Sequence, residues 1–146
     1  MRIYLAGPLF TAAEQEFNLR LSDALQSAGH EVWLPQAHEP RERTAKAIFE
    51  EDLKGLEWSD VLVANMDGPD PDSGTCWECG YVFGKKPAIL FRTDFRRAGD
   101  THDSALNLML AESAHALLLL PLASPDQVAE RVGAVLEKLA LSRKHV

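Results

Sequence analysis

The sequence predicts an α/β fold, a three-layer sandwich in which a five-stranded parallel sheet carries helices on both faces. Three observations lead there. Five short apolar runs recur along the chain, each bounded by Gly, Pro, Asn or Asp. Amphipathic stretches with helical spacing alternate with them. The runs are nearly all apolar rather than alternating, as befits strands buried on both faces.

Taken in order, Ile3-Tyr4-Leu5-Ala6 is the first strand. Phe17, Leu21, Ala24, Leu25 and Ala28 follow at i, i+4, i+7, i+8 and i+11, one face of a helix that ends at Gly29. Residues 30–34 form the second strand, and Ala45, Ile48, Phe49, Leu53 and Leu56 the apolar stripe of a second helix. The third strand covers 61–64, and a third helix begins after Gly74 and runs toward Gly84. Residues 88–91 and 116–120 supply the last two strands. The final helix has Ser124 at its N-cap, Pro125 in the first turn and Gln127 completing a capping box, with Val128, Val132, Val135, Leu136 and Leu139 facing inward. No repeat or flexible linker interrupts the 146 residues, so a single domain over 1–146 is expected. Parallel sheets of order 2-1-3-4-5 bind ligands beyond the carboxyl ends of the first and third strands. That points to residues 6–10 and 65–78.

Charge and composition remove several function classes. Twenty-two acidic against 15 basic residues, a net charge of −7, repel phosphate backbones and anionic membranes, so polymeric nucleic acid is not an expected partner. The longest apolar run, 116–120, stops at Pro121, far short of the roughly 20 residues that cross a bilayer. Residues 3–10 are broken by Gly7-Pro8 and lead into Glu14 and Glu16, unlike a signal peptide, which makes the expected location cytoplasmic. Cys76-x-x-Cys79 has no second Cys or Cys/His pair to close a zinc site, and His30, His38, His102 and His115 share no ligand spacing. Gly84-Lys85-Lys86 lacks the earlier glycine of a phosphate loop, and no G-x-G-x-x-G follows the first strand. Asp70-x-Asp72 lacks the glycine and distal Glu of a calcium loop. Neither a metal nor a cofactor is expected.

Two carboxylates are oddly placed. Asp52 holds the i+7 position on the apolar stripe measured from Ala45, so it either meets structural donors or lines a cavity. Glu78 lies at the start of the third helix, at the binding end of the sheet. Thr75-x-x-Glu78 fits a capping box, and three Asp in the preceding loop fit turn chemistry. On a rigid first turn, however, where backbone N–H groups favour its ionised form, Glu78 is also placed to act as a nucleophile.

Tyr4-Leu-Ala-Gly-Pro-Leu-Phe10, Asp52 ahead of Trp58-Ser-Asp60, Asp72-Ser-Gly-Thr-Cys-Trp-Glu-Cys-Gly-Tyr81 and Asn107-Leu-Met109 together resemble the nucleoside 2-deoxyribosyltransferase family. The likeness spans residue 3 to about 110, and its most specific piece is D-S-G-T-x-W-E-x-G-Y. It implies a flavodoxin-like homo-oligomer, a dimer or dimer-based hexamer with shared active sites, that moves a 2-deoxyribosyl group between nucleobases without a cofactor. Glu78 matches the family's nucleophile, Tyr4 the tyrosine that orients it, and Asp52 and Asp72 the acids facing the base. Asn107 and Met109 match the segment that reaches a neighbouring subunit's pocket to contact the sugar.

The reaction needs two kinds of carboxyl. One must be ionised beside the anomeric carbon to form a glycosyl ester, and the other must hold a proton near neutral pH, which partial desolvation favours. Glu78 suits the first and Asp52 the second, with Asp72 as partner or substitute. The partners are then a deoxynucleoside and a free nucleobase. Leu9, Phe10 and Trp77 are candidates for apolar walls against a flat base, and equally for core, while Gly7 sits in the same strand-exit segment. The rival activity is N-glycosidic hydrolysis of 2′-deoxynucleoside 5′-monophosphates, in which Arg92, Arg96 or Arg97, or Ser/Thr hydroxyls, would hold the phosphate. A non-catalytic sensor of a nucleotide derivative is the alternative from another class. Residues 92–103 form a polar loop that is either a lid or a solvated connection.

Overall fold

The computed structural model describes residues 1–143, so the last three residues of the expected domain lie outside the described residues. The strands are β1 (Arg2–Ala6), β2 (Glu31–Trp33), β3 (Val61–Asn65), β4 (Ala88–Arg92) and β5 (Ala116–Leu119). Between and after them come α1 (Ala12–Ser27), α2 (Ala45–Trp58), α3 (Ser73–Val82), the short α4 (Leu108–Ser113) and α5 (Pro125–Arg143). All strand pairs are parallel, in the order β2-β1-β3-β4-β5, as the sequence predicts.

The period-two alternation of the strands builds two cores. Ile3, Leu5, Val61, Val63, Ile89 and Phe91 face Leu21 and Leu25 of α1 and Val128, Val132 and Leu136 of α5. Tyr4, Ala6, Leu62, Ala64 and Leu90 face the other way, toward Leu56 of α2 and Cys79 and Val82 of α3. Each fully buried Leu or Val contributes roughly 1.5–3 kcal/mol, so both layers are held chiefly by this apolar burial. Tyr4 carries the single phenol in the second layer's strand positions, which sends its hydroxyl toward α2 and α3.

Several boundaries and faces differ from expectation. α1 turns Asn18 and Ser22 inward and leaves Ala28 exposed, because Ala28 is already the C-cap, where the helical spacing no longer applies. Asn18 is satisfied there by donating to the Pro8 carbonyl at 2.9 Å. Ala45, Ile48 and Phe49 at the start of α2 are exposed rather than core, since this half of the helix overhangs the sheet's carboxyl edge. β5 is one of the sheet's two edges and is only half-buried. The Ser124–Gln127 capping box of α5 is present in both directions, at 2.9 and 3.3 Å.

The loop after β4 is tied to the exit of β3. The Arg92 guanidinium, 1% exposed, donates to the carbonyls of Met66, Gly68 and Arg96. The Asp67 carboxylate accepts from the Thr93 amide and hydroxyl and the Asp94 amide. Of the two readings of residues 92–103, this anchoring excludes a free lid over its first residues. Among the described residues no helix is long and apolar enough to cross a membrane.

Candidate active site

The crevice opens where α1 and α3 leave β1 and β3 on opposite faces. Gly7 lies close to β3, where a Cβ would stand 3.0 Å from the Asn65 Cβ. The β3 exit then turns through Gly68, at φ 110°, into the acidic loop.

α3 begins one turn earlier than the expected capping box requires. Its N-cap is Asp72, whose Oδ2 accepts from the Thr75 amide at 2.9 Å and the Thr75 hydroxyl at 3.0 Å. Thr75 is therefore inside the helix, and Thr75-x-x-Glu78 makes no box. Glu78 sits in the second turn, beyond the reach of the unpaired N-terminal amides. The expectation that backbone N–H groups favour its ionised form is overturned. Burial instead pushes its carboxyl up to about 7, with the Tyr4 hydrogen bond opposing and the charges of Asp52 and Asp72 adding to the rise.

The Tyr4 hydroxyl donates to Glu78 Oε1 at 2.6 Å. Burial and the neighbouring Glu78 charge raise the phenol far above its ordinary value, so it stays protonated and remains the donor. Asp52 projects from α2 into the same space, where burial raises its carboxyl and its interaction with Tyr4 lowers it in part. Asp52 and Glu78 together line a cavity of about 340 Å³ with Phe49, Leu53, Leu56, Gly74 and Trp77. Asp52 thus lines the cavity while also interacting with Tyr4.

Trp77 is not core. Its ring is 49% exposed, edge-on to Phe49 at 5.6 Å and stacked on Tyr81 at 5.2 Å. Leu9 lines a smaller cavity that also reaches Asp52. Phe10 does not join them: it is 75% exposed, on the chain leading into α1. Phe49, Leu53 and His38 line these cavities without having been singled out as site residues. Nothing in their spacing separates a cavity wall from a core stripe, because that depends on where the helix overhangs the sheet.

The family model for nucleoside 2-deoxyribosyltransferase matches residues 3–109. The chain belongs to the nucleoside 2-deoxyribosyltransferase family. It is accordingly a deoxyribosyltransferase-type enzyme. The 2-deoxyribosyltransferase of Bacillus psychrosaccharolyticus is similar at 26% identity and TM-score 0.69, over 88% of this chain and 90% of that one. A 2-desoxiribosyltransferase from Leishmania mexicana shares the fold at 21% identity and TM-score 0.64, over 80% and 89%. The CMP N-glycosidase of Clostridium botulinum also shares it, at 18% identity and TM-score 0.58, over 91% and 99%. No protein of curated function matches the sequence.

Two family-derived expectations fall elsewhere in the chain. Asn107 caps α4 by accepting from the Met109 amide at 2.9 Å, and its Nδ2 donates to Asp100 at 2.8 Å. With Met109 it lines a separate cavity of about 470 Å³ beside Cys76, Gly80 and Phe83, on the other flank of α3. Within one chain of this transferase family member, neither residue meets Glu78. The arginines that are one of the two phosphate-holding options of the hydrolytic alternative are also committed. Arg92 is buried on carbonyls, Arg96 pairs with Asp94 through several hydrogen bonds, and Arg97 donates to the Asp103 carbonyl. None of the three lines the cavity of Asp52 and Glu78. Cys76 and Cys79 are free thiols, Cys79 buried in the second core. Among the described residues no group of three or more His, Cys, Asp and Glu is disposed to hold a metal.

Proposed function

We propose that this chain transfers a 2-deoxyribosyl group from a deoxynucleoside to a free nucleobase, with retention, through an ester on Glu78. The observation that carries the reading is the Tyr4–Glu78 hydrogen bond at 2.6 Å in a cavity shared with Asp52. Tyr4 occupies Oε1, which leaves Oε2 for attack on the anomeric carbon. As that C–O bond forms, the N-glycosidic pair departs with the base, and Asp52 delivers its proton to the base nitrogen. In the second half a new base attacks the same carbon, Glu78 leaves as a carboxylate, and the incoming base's proton passes to Asp52. Two inversions give net retention. Water in the second half would give hydrolysis.

Burial serves both acids. It raises the proton affinity of Asp52 above that of an exposed carboxyl and makes Glu78 a more basic, hence more nucleophilic, carboxylate than an exposed one. Asp72 contributes through its negative charge beside Glu78 and by fixing the start of α3. Trp77 offers a flat face for the base. Asn107 and Met109 act on the sugar from a neighbouring copy of the chain, so the working enzyme is a homo-oligomer, reusing deoxyribose in the cytoplasm as a salvage reaction.

The test is to mix a deoxynucleoside with a foreign free base. A new deoxynucleoside, together with a pentose adduct on Glu78 in the quenched enzyme by intact-protein mass spectrometry, is the expected result. Absence of both, or unchanged turnover in Glu78→Gln, overturns it. Release of sugar phosphate from a deoxynucleoside monophosphate alone would establish the hydrolytic alternative, and ligand binding without any turnover a sensor.

A further inference from the structure

A second cavity, of about 100 Å³, meets the first at Asp52 and holds several polar side chains. Most of them are spent on one another. Gln36 donates to the Gln15 carbonyl at 2.9 Å and accepts from Asn18 at 3.2 Å, so its amide is held by α1 at both ends. Arg43 donates to Glu39 at 2.9 Å. Alongside this exposed ion pair, the cavity also presents His38 and the Asp52 carboxyl.

His38 is held unusually well for a loop side chain. Its ring stacks on Trp33 with centroids 4.0 Å apart and planes 14° from parallel. Its Nδ1 lies 3.0 Å from the Leu34 carbonyl, which can only accept, so Nδ1 carries the proton. In the neutral ring Nε2 then presents a lone pair, and no described residue bonds to it.

We propose that His38 is a specificity-determining residue, whose Nε2 accepts a hydrogen bond from the exocyclic amino group of the base and so favours 6-aminopurines over 6-oxopurines. The inference rests on the base-transfer reading above. Adenine presents N7 as an acceptor next to a 6-amino donor, whereas hypoxanthine presents two acceptors on that edge. His38 accepts from the amino group in the cavity that it shares with Asp52. A 6-oxo group would set one lone pair against another and leave Nε2 desolvated without a donor.

Binding of the free bases tests this without requiring turnover. Calorimetry at pH 8 should show adenine binding the wild-type protein at least about tenfold more tightly than hypoxanthine. His38→Phe keeps a flat ring against Trp33 and removes the acceptor, and should bring the two bases within about twofold. Equal affinities in the wild type, tighter hypoxanthine, no binding of either base, or a preference that survives in His38→Phe each overturn the proposal. Unsubstituted purine gives the same test on the unaltered protein, should the variant not fold. It keeps N7 but lacks the amino group, and binding as tight as adenine's would also refute the assignment. Failure of transfer is read separately, by the missing adduct on Glu78, so the two claims fall to different measurements.

Discussion

Replacing Tyr4 by Phe removes one hydroxyl from a fully buried ring, the hydroxyl that donates to Glu78 Oε1 at 2.6 Å. That bond stabilises the ionised carboxylate against the burial that lifts it to about 7. A hydrogen bond to a charged group contributes about 1.5–3 kcal/mol, and each pH unit corresponds to about 1.4 kcal/mol. Its loss should therefore move the acid limb of kcat/KM upward by about one to two pH units. The parent is about half ionised at pH 7, so the variant should be slower there by roughly 5- to 50-fold and recover much of the difference above pH 9. The measurement is a pH–rate profile from pH 5 to 10 for both proteins with one nucleoside and one acceptor base. An acid limb that stays in place, or a loss that is the same at every pH, would refute the electrostatic role of Tyr4. It would leave only the positioning of Oε2.

The same burial has a cost in stability. Glu78 is raised to about 7 in the fold from the ordinary 4.5. Between those values the native state holds a proton that the unfolded chain releases, so stability falls as pH rises through that window. Glu78→Gln should thus gain up to about 3 kcal/mol over the parent at pH 8 and little at pH 4, read by denaturant melts. Asp52→Asn should lose roughly 10²- to 10⁴-fold in kcat on nucleosides but under about tenfold on a dinitrophenyl 2-deoxyriboside, whose leaving group needs no proton. Lys86 donates to the carbonyls of Leu56 and Ser59 at the end of α2. Lys86→Met should cost about 1–3 kcal/mol, seen as a lower urea midpoint with an unchanged m-value. Gly55→Ala would drive a methyl to 2.4 Å from Trp33 Nε1 and should cost about 1–3 kcal/mol by the same measurement.

Apolar runs at 3–6, 61–64 and 88–91, amphipathic stretches between strands and the Ser124 capping box are local patterns, and local patterns were enough for the parallel sheet and its layers, while its order followed from the family resemblance. Asp52 was legible for a related reason, since a carboxylate on an otherwise apolar stripe is visible in one dimension; Glu78 stood out by its place at the binding end of the sheet, and Tyr4 came from the family resemblance alone. What the one-dimensional pattern lacked was the distance from each residue to the rest of the chain. Only the tertiary structure made Asp72 rather than Thr75 the cap of α3, placed Glu78 a turn deeper, turned Phe49 from presumed packing into a cavity wall and chose the wall over the core for Trp77. It also set Glu78's proton affinity, because burial is a sum over neighbours from β1, α2 and α3 that no single segment encodes.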